Sequence, residues 1–400
     1  MKQKKKQETY IKIKKKVKML KSNKNNKVAI IGGGPGGLML GLLLQKQGIP
    51  FTIFEKGERD INGNRGGSLD IHEESGQLPI KEANLIETFK SMARFEGEDT
   101  KILGPDGTLY FEDDAEGEGG RPEIDRGELC DMILNEINPE NIRYHYEFKA
   151  IETLDNHKVK VTFNHNVSEI FDVVVGADGS FSKVRPFITE QDIMYTDISM
   201  VELNISDVKQ QFPDLAAFNK NGKVMALGGD QAILGQLNGD GSIKVYVTYR
   251  MPYKDLDTYK ALSSDQLKSR LLQDFKDWDK ELLKYISYAD DKVLFRRIYK
   301  LPIGFKWDRQ SNVTLLGDAA HVMSPFAGEG VNTALYDAYL LARAFKNHDN
   351  LEDVITAYED EMYKASEEHA QESQDNLDLM FSDNAAEKMG SIFTDVELMS

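Results

Sequence analysis

Residues 27–56 read KVAIIGGGPGGLMLGLLLQKQGIPFTIFEK: an apolar strand, a turn of five glycines and a proline, an apolar helical stretch, and a second apolar strand. A strand that re-enters its sheet through a helix makes a parallel pair with a right-handed crossover, so the chain begins an α/β sheet. GxGxxG falls at Gly32, Gly34 and Gly37, and each glycine has its own reason: a tight turn, close approach of a pyrophosphate, and contact between helix and sheet. The amino terminus of the following helix turns its unpaired N–H groups toward the phosphates. Glu55 ends the second strand 23 residues after Gly32, where a carboxylate accepts hydrogen bonds from a ribose. Dinucleotide binding follows, with NAD and FAD both open.

Two later stretches repeat the strand-to-acid pattern. FDVVVGADGSFSKVR (171–185) runs from an apolar strand into Asp178 and Gly179, then Ser182 and Arg185. NVTLLGDAAHVMSPFAGEGVNTAL (312–335) runs from a strand into Asp318, with Gly317, Gly328 and Gly330 bending the turn and Pro325 stiffening it. A single DG or GD marks only a turn. Three acidic, glycine-lined strand ends in one chain mark a site.

Composition narrows the class. With 400 residues, 40% of them hydrophobic, the chain can bury a core for two or three domains or for one large α/β unit with an insertion. Residues 1–27 hold twelve lysines and one glutamate, so the formal charge of −16 conceals an acidic body of −27, which no general positive field fits for nucleic acid. Cys130 is the single cysteine and the seven histidines are scattered, so no disulfide and no metal site are expected. The longest apolar run, 28–44, is broken by six glycines and a proline, short of the ~20 residues of a membrane helix. The expectation is a soluble, cytoplasmic monomer without membrane or nucleic-acid partners. Residues 1–26 read as a disordered basic tail, with an arm for anionic surfaces and a true start at Met19 as alternatives.

GGGPGG, DGSFSKVR and GDAAHVMSPFAGEGVNTAL, in this order, resemble the three signatures of the single-component (class A) flavoprotein monooxygenases of the para-hydroxybenzoate hydroxylase fold. GGSLDIHEESGQ (66–77), EIDRGEL (123–129), DFKDWDKELL (274–283) and YEDEMYKASEEHAQES (358–373) further resemble segments of the TetX-type tetracycline-inactivating branch. The resemblance implies an α/β fold: a Rossmann-like FAD-binding domain from 27–190 and 301–345, an inserted antiparallel β-sheet substrate domain at 191–300, and a C-terminal helical segment at 346–400. It implies that Gly32, Gly34, Gly37 and Glu55 hold the ADP part of FAD, that Asp70, Arg126 and Asp178 lie by the cofactor, and that Asp318 binds its ribityl or pyrophosphate region. Amides from Gly328, Gly330, Val331 and Asn332 would face the pyrimidine end of the ring, and His321 is expected to make a structural hydrogen bond.

One GxGxxG leaves no second Rossmann unit for a nicotinamide cofactor. The resemblance implies NADPH or NADH as a transient reductant, with Arg65 as a contact for NADPH, and a flavin C4a-hydroperoxide as the hydroxylating group, so no side chain is assigned as catalyst. It implies an aromatic or polyketide-like substrate, tetracycline among the candidates, held by Lys223, Tyr246, Pro325, Phe326 and Met380. Lys223 stands where the branch has arginine, Lys244 where it has histidine, and Tyr246 where it has glycine, a change that narrows the cavity. A non-oxygenating FAD reductase and a flavin-binding redox sensor are the alternatives; a flavin halogenase would show WxWxIP, and Trp278 and Trp307 stand instead in DWDK and KWDR.

Overall fold

The computed structural model describes residues 26–59, 67–95, 97, 99–113, 120–155 and 157–397. The basic tail, with its alternative start at Met19, and Arg65 lie outside the described residues.

The opening motif folds as its residues dictate. Pro35 opens the helix Pro35–Gln47, Gly34 is its N-cap, and Gly48 closes it in the left-handed region at φ 71°, where glycine pays no Cβ penalty. Its first ten residues are all buried, because sheet lies on one side and the helix Glu329–Asn347 on the other. A Cβ at Gly36 would meet Ala334 O of that helix at 2.8 Å.

Five parallel strands run in the order Val313–Leu315, Val173–Gly176, Val28–Ile31, Phe51–Phe54 and Ile142–Arg143. The first four are buried at every position, as a parallel sheet covered on both faces requires. Registry pairs Ile31 with Gly176 and Phe54, and Gly176 with Leu315. The three motif-bearing turns therefore leave the sheet along one edge, the carboxyl end where ligands bind in open α/β sheets.

A second sheet has seven strands, ordered Leu294–Lys300, Met194–Ile205, Ile243–Arg250, Gln231–Leu237, Lys223–Leu227, Thr100–Leu103 and Leu109–Asp113. It is antiparallel except where Lys223–Leu227 pairs in parallel with Thr100–Leu103. Two of its strands thus come from residues 100–113, inside the stretch that sequence reading places in the cofactor domain. KILGPDGTLYFED reads as a hairpin, and nothing local in it names the sheet it joins.

One face of this sheet, with Val224, Ile233, Val245 and Val247, packs on Leu267, Leu271, Tyr285 and Ile286 of the helices Ser264–Asp274 and Lys280–Ser287. Ser263 is the N-cap of the first of these helices and forms a capping box with Gln266. The opposite face, with Met200, Met225, Leu234 and Tyr246, packs with Leu377, Met380 and Phe381 at the end of the helix Leu351–Met380. The helical segment continues past Asn384 as the helix Ala385–Glu397. Ala385, Ala386 and Met389 are buried there, and Gly390 lets the helix approach Tyr110, whose Cβ would be 2.8 Å from an added methyl. No helix among the described residues is long and apolar enough to cross a membrane.

Candidate cofactor and substrate site

The glycine turn separates packing from open space. Gly32 has φ +116°, and a Cβ there would lie 2.2 Å from Ala177 O; a Cβ at Gly37 would lie 2.2 Å from Gly32 O. A Cβ at Gly34 would meet no protein atom within 4 Å. The first and third glycines are thus fixed by backbone approach, while the middle one borders a gap at a helix amino terminus, the shape and polarity that a pyrophosphate needs. Glu55 is held by two backbone donors, Gly33 N to Oε2 and Gly57 N to Oε1, both at 2.8 Å. It lines an open cleft with Gly33, Leu38, Cys130, Asp131 and Tyr144. Arg126 is exposed at the first position of the helix Arg126–Leu134, and its backbone N donates to Gly67 O at 3.4 Å.

The second and third motifs are tied together by hydrogen bonds. Asp178 accepts from Ser182 Oγ at 2.5 Å and from Lys183 N at 2.6 Å, which folds its own loop. From that loop Ser180 Oγ donates to Asp318 Oδ2 at 2.8 Å. Arg185, which sequence reading leaves without a role, is buried; its Nε donates to Ala319 O at 2.8 Å, and its Nη2 to Asp318 O at 2.8 Å and Ser180 O at 3.0 Å. His321 makes the expected structural contact: Nε2 is 2.6 Å from Asp337 Oδ2, which also accepts from Gly317 N at 2.7 Å.

At the amino terminus of Glu329–Asn347, Gly328 is the N-cap with φ 73°. A Cβ at Gly328 would be 3.1 Å from either carboxylate oxygen of Asp70, and one at Gly330 would be 3.9 Å from Asp318 Oδ1. Asp70 and Asp318 therefore flank a positive helix end, with Val331 half-buried beside them. Asn332 is buried, and its side chain is engaged by backbone: Oδ1 accepts from His72 N at 3.0 Å, and Nδ2 donates to Asp70 O at 3.0 Å. It clamps the strand Ser68–Asp70 to the helix. Hydrogen bonding by His72 and the charge of Lys223 hold the Asp70 carboxyl below its usual range even though burial pushes it up.

The second sheet offers two rows to this region. Lys223, Gln236 and Lys244 are cross-strand neighbours, and so are Met225, Leu234 and Tyr246 in the next row. A polar row therefore runs beside a largely apolar one on a single face. The loop of Asp70 touches that face: a Cβ at Gly67 would be 3.1 Å from Tyr246 Oη and 4.0 Å from Lys244 Cγ. Burial first, and the charge of Glu202 second, push the Tyr246 hydroxyl up to about 12. Phe326 meets Phe381 edge-on at 5.6 Å, Met380 is buried, and Pro325 is exposed. Lys223, Tyr246, Phe326 and Met380 thus belong to one front, with Pro325 outside it.

Glu123 is a member that sequence reading does not single out. It pairs across from Asp70, is 5% exposed, and accepts from Gln236 Nε2 at 3.0 Å. Burial pushes its carboxyl up to about 7 against the opposing pull of Ser68 and Lys223. Because the folded value lies above the unfolded one of 4.5, its favourable contribution is full at low pH and is lost as pH rises through 7. Glu123→Gln, which keeps the neutral form, is expected to melt above the wild type at pH 8, with the gap closing by pH 5. Thermal midpoints across that range check this; a gap that does not change with pH would mean that Glu123 stays ionised in its buried position.

A Rossmann-type sheet with three motif turns on one edge, facing a broad antiparallel sheet, defines the class: an FAD-dependent monooxygenase. The chain belongs to the FAD binding domain family, which matches residues 25–92 and 141–373. The cofactor is FAD, and the open space before Gly34, the fixed Glu55 and the helix end at Gly328 fit it. Monooxygenase penA of Penicillium thymicola is 25% identical over 425 aligned positions, which cover 92% of this chain and 98% of that protein. HpxO of Klebsiella pneumoniae, solved with FAD and uric acid, has a TM-score of 0.76 at 18% identity over 92% of each chain. Tetracycline destructase Tet(51) has a TM-score of 0.70 at 20% identity, over 94% of this chain and 97% of that one. These two structures share the fold.

Proposed function

We propose that this protein uses NAD(P)H and O2 to hydroxylate an electron-rich aromatic or polyketide-like small molecule, acting as a cytoplasmic monomer. The observation that carries this reading is the convergence of Gly34, Asp178 and Asp318 on one sheet edge that faces a mixed polar and apolar sheet front. When bound, FAD supplies the redox chemistry by which NAD(P)H and O2 yield water and one oxygen atom inserted into the substrate. The chain binds and orients. Gly32, Gly34, Gly37 and the helix end hold the pyrophosphate, Glu55 the ribose, and Asp318 the ribityl chain. Asp70, Gly328, Gly330, Val331 and the clamp residue Asn332 frame the ring, with Arg126 and Asp178 shaping the loops beside it.

On the substrate side Lys223 and Tyr246 would orient polar groups, while Phe326, Met380 and the row of Met225 and Leu234 exclude water. Pro325 would close the rim. In domain terms the cofactor unit is 27–190 with 301–345, less the two strands of 100–113, which serve the sheet of 191–300; 346–400 is the helical segment.

Tetracycline is the finer proposal, supported by the quoted branch segments and by the fold of Tet(51). Tyr246 narrows the front where that branch has glycine, so a flatter or smaller phenol competes with it. The test is a panel of phenols and tetracyclines with purified protein, NADPH and 18O2. At least one compound is expected to accelerate NADPH oxidation and to give a product carrying one labelled oxygen atom. Oxidation without labelled product across the panel would favour the reductase reading, and no accelerated oxidation at all the sensor reading.

A further inference from the structure

We infer that His72 is a positioning residue for the cofactor: a cationic clamp between Asp70 and Glu329 that fixes the Asp70 strand against a helix amino terminus and offsets two carboxylates beside the flavin ring. The inference rests on the FAD reading above.

The geometry is unusual for a surface loop. The His72 side chain is fully buried, with Nε2 3.3 Å from Asp70 Oδ2 and Nδ1 3.0 Å from Glu329 Oε1. The second is an ionic contact rather than an aligned hydrogen bond. Glu329 is 7% exposed at the first position of a 19-residue helix, and its Oε2 has no hydrogen-bond partner among the described residues. His369 approaches that oxygen at 3.7 Å. Thr333 already uses its hydroxyl hydrogen on Glu329 O at 2.8 Å, so at 2.8 Å His369 Nδ1 donates to Thr333 Oγ1 and leaves Glu329 to His72.

Buried Glu329 and half-buried Asp70, one on each imidazole nitrogen, call for a cation between them, since an unpaired buried charge is costly. The charged and titratable described groups that face the cluster are Asp70, Glu74 at 4.0 Å from His72 Nδ1, Arg121, Glu329 and His369, with Lys223 acting on Asp70 and Glu123 across the strand pair from it. Burial would lower the His72 pKa and Arg121 opposes its charge, yet Asp70 and Glu329 bring it to about 9. The imidazolium is therefore the charged form at neutral pH.

This cluster lies where the ring's pyrimidine end would rest, because Asp70 borders Gly328. Two-electron reduction places negative charge on that end. The helix terminus favours it, and Asp70 and Glu329 would oppose it if His72 did not offset them.

The experiment measures the two-electron midpoint potential and the Kd for oxidised FAD at pH 7 in wild type, His72→Gln and Glu329→Gln. His72→Gln is expected to weaken reduced FAD relative to oxidised FAD by at least tenfold, about 30 mV more negative for a two-electron couple. Glu329→Gln is expected to shift the potential the other way. Opposite signs distinguish an electrostatic role from a packing defect, which would lower FAD affinity in both variants with the potential unmoved and would overturn the inference. If His72→Gln does not fold, Glu329→Gln still decides: a potential that is unchanged or more negative overturns the claim. A wild-type protein that takes up no FAD would overturn the underlying reading and this inference with it, whereas FAD bound at unmoved potential in the variants would overturn this inference alone.

Discussion

Gly32→Ala is expected to abolish FAD retention and to destabilise the apoprotein by about 2–6 kcal/mol. Roughly 1–3 of that comes from holding a non-glycine residue at φ +116°, and about as much from the overlap of the new methyl with its surroundings. The atom it would strike, Ala177 O, is backbone at 2.2 Å and cannot swing aside. Ala177 N also donates to Ile31 O at 2.7 Å, so relief means prising apart the two central strands whose ends carry the first and second motifs. Gly34→Ala is the control. Its methyl meets no protein atom, and φ is −79°, so the apoprotein should melt within about 1 kcal/mol of wild type, the modest size of a substitution without a packing clash, while FAD binding weakens. Thermal melts with FAD titration separate the two effects. A Gly34→Ala protein that binds FAD like wild type would mean that the space before Gly34 is not the phosphate's.

The contrast between these glycines shows what is legible in the chain. The turn, its helix and the next strand are local, and each residue states its own reason, so the β-α-β unit is readable at Gly32, Gly34, Gly37 and Glu55. The order of the three motifs also predicts that Asp178 and Asp318 leave one sheet edge, because parallel strands in register end together. What escapes is set by contacts across long stretches of chain. Residues 100–113 look like any hairpin until Thr100 pairs with Lys223. Nothing local marks Glu123 or His72 until Gln236 and Glu329 close on them. The Asn332 side chain holds the backbone of Asp70 and His72, a role separate from the one read for its amide. The C-terminal helical segment is legible, but the docking of its last helix depends on Gly390 letting it approach Tyr110, a contact nothing local announces.

Arg185→Ala is expected to lower apoprotein stability by about 3–5 kcal/mol and FAD affinity with it. The side chain makes three hydrogen bonds to carbonyl oxygens, and bonds from a charged donor contribute about 1.5–3 kcal/mol each, less whatever water recovers. Truncation leaves those carbonyls of Ser180, Asp318 and Ala319 without their donor at a buried junction, and it removes the cation that faces Asp178 and Asp318. Beyond the strand ladder, the two loops are then joined by the Ser180–Asp318 bond without the guanidinium. Arg185→Lys is the sharper test, because it keeps the charge but not the planar fork that reaches three acceptors from one stem. Its stability should fall between alanine and wild type, and its FAD Kd should rise more than its melting temperature suggests, since the placement of the Asp318 turn depends on the fork. If Arg185→Lys matches wild type in both measurements, charge alone joins the two loops and the hydrogen-bond geometry described here is dispensable.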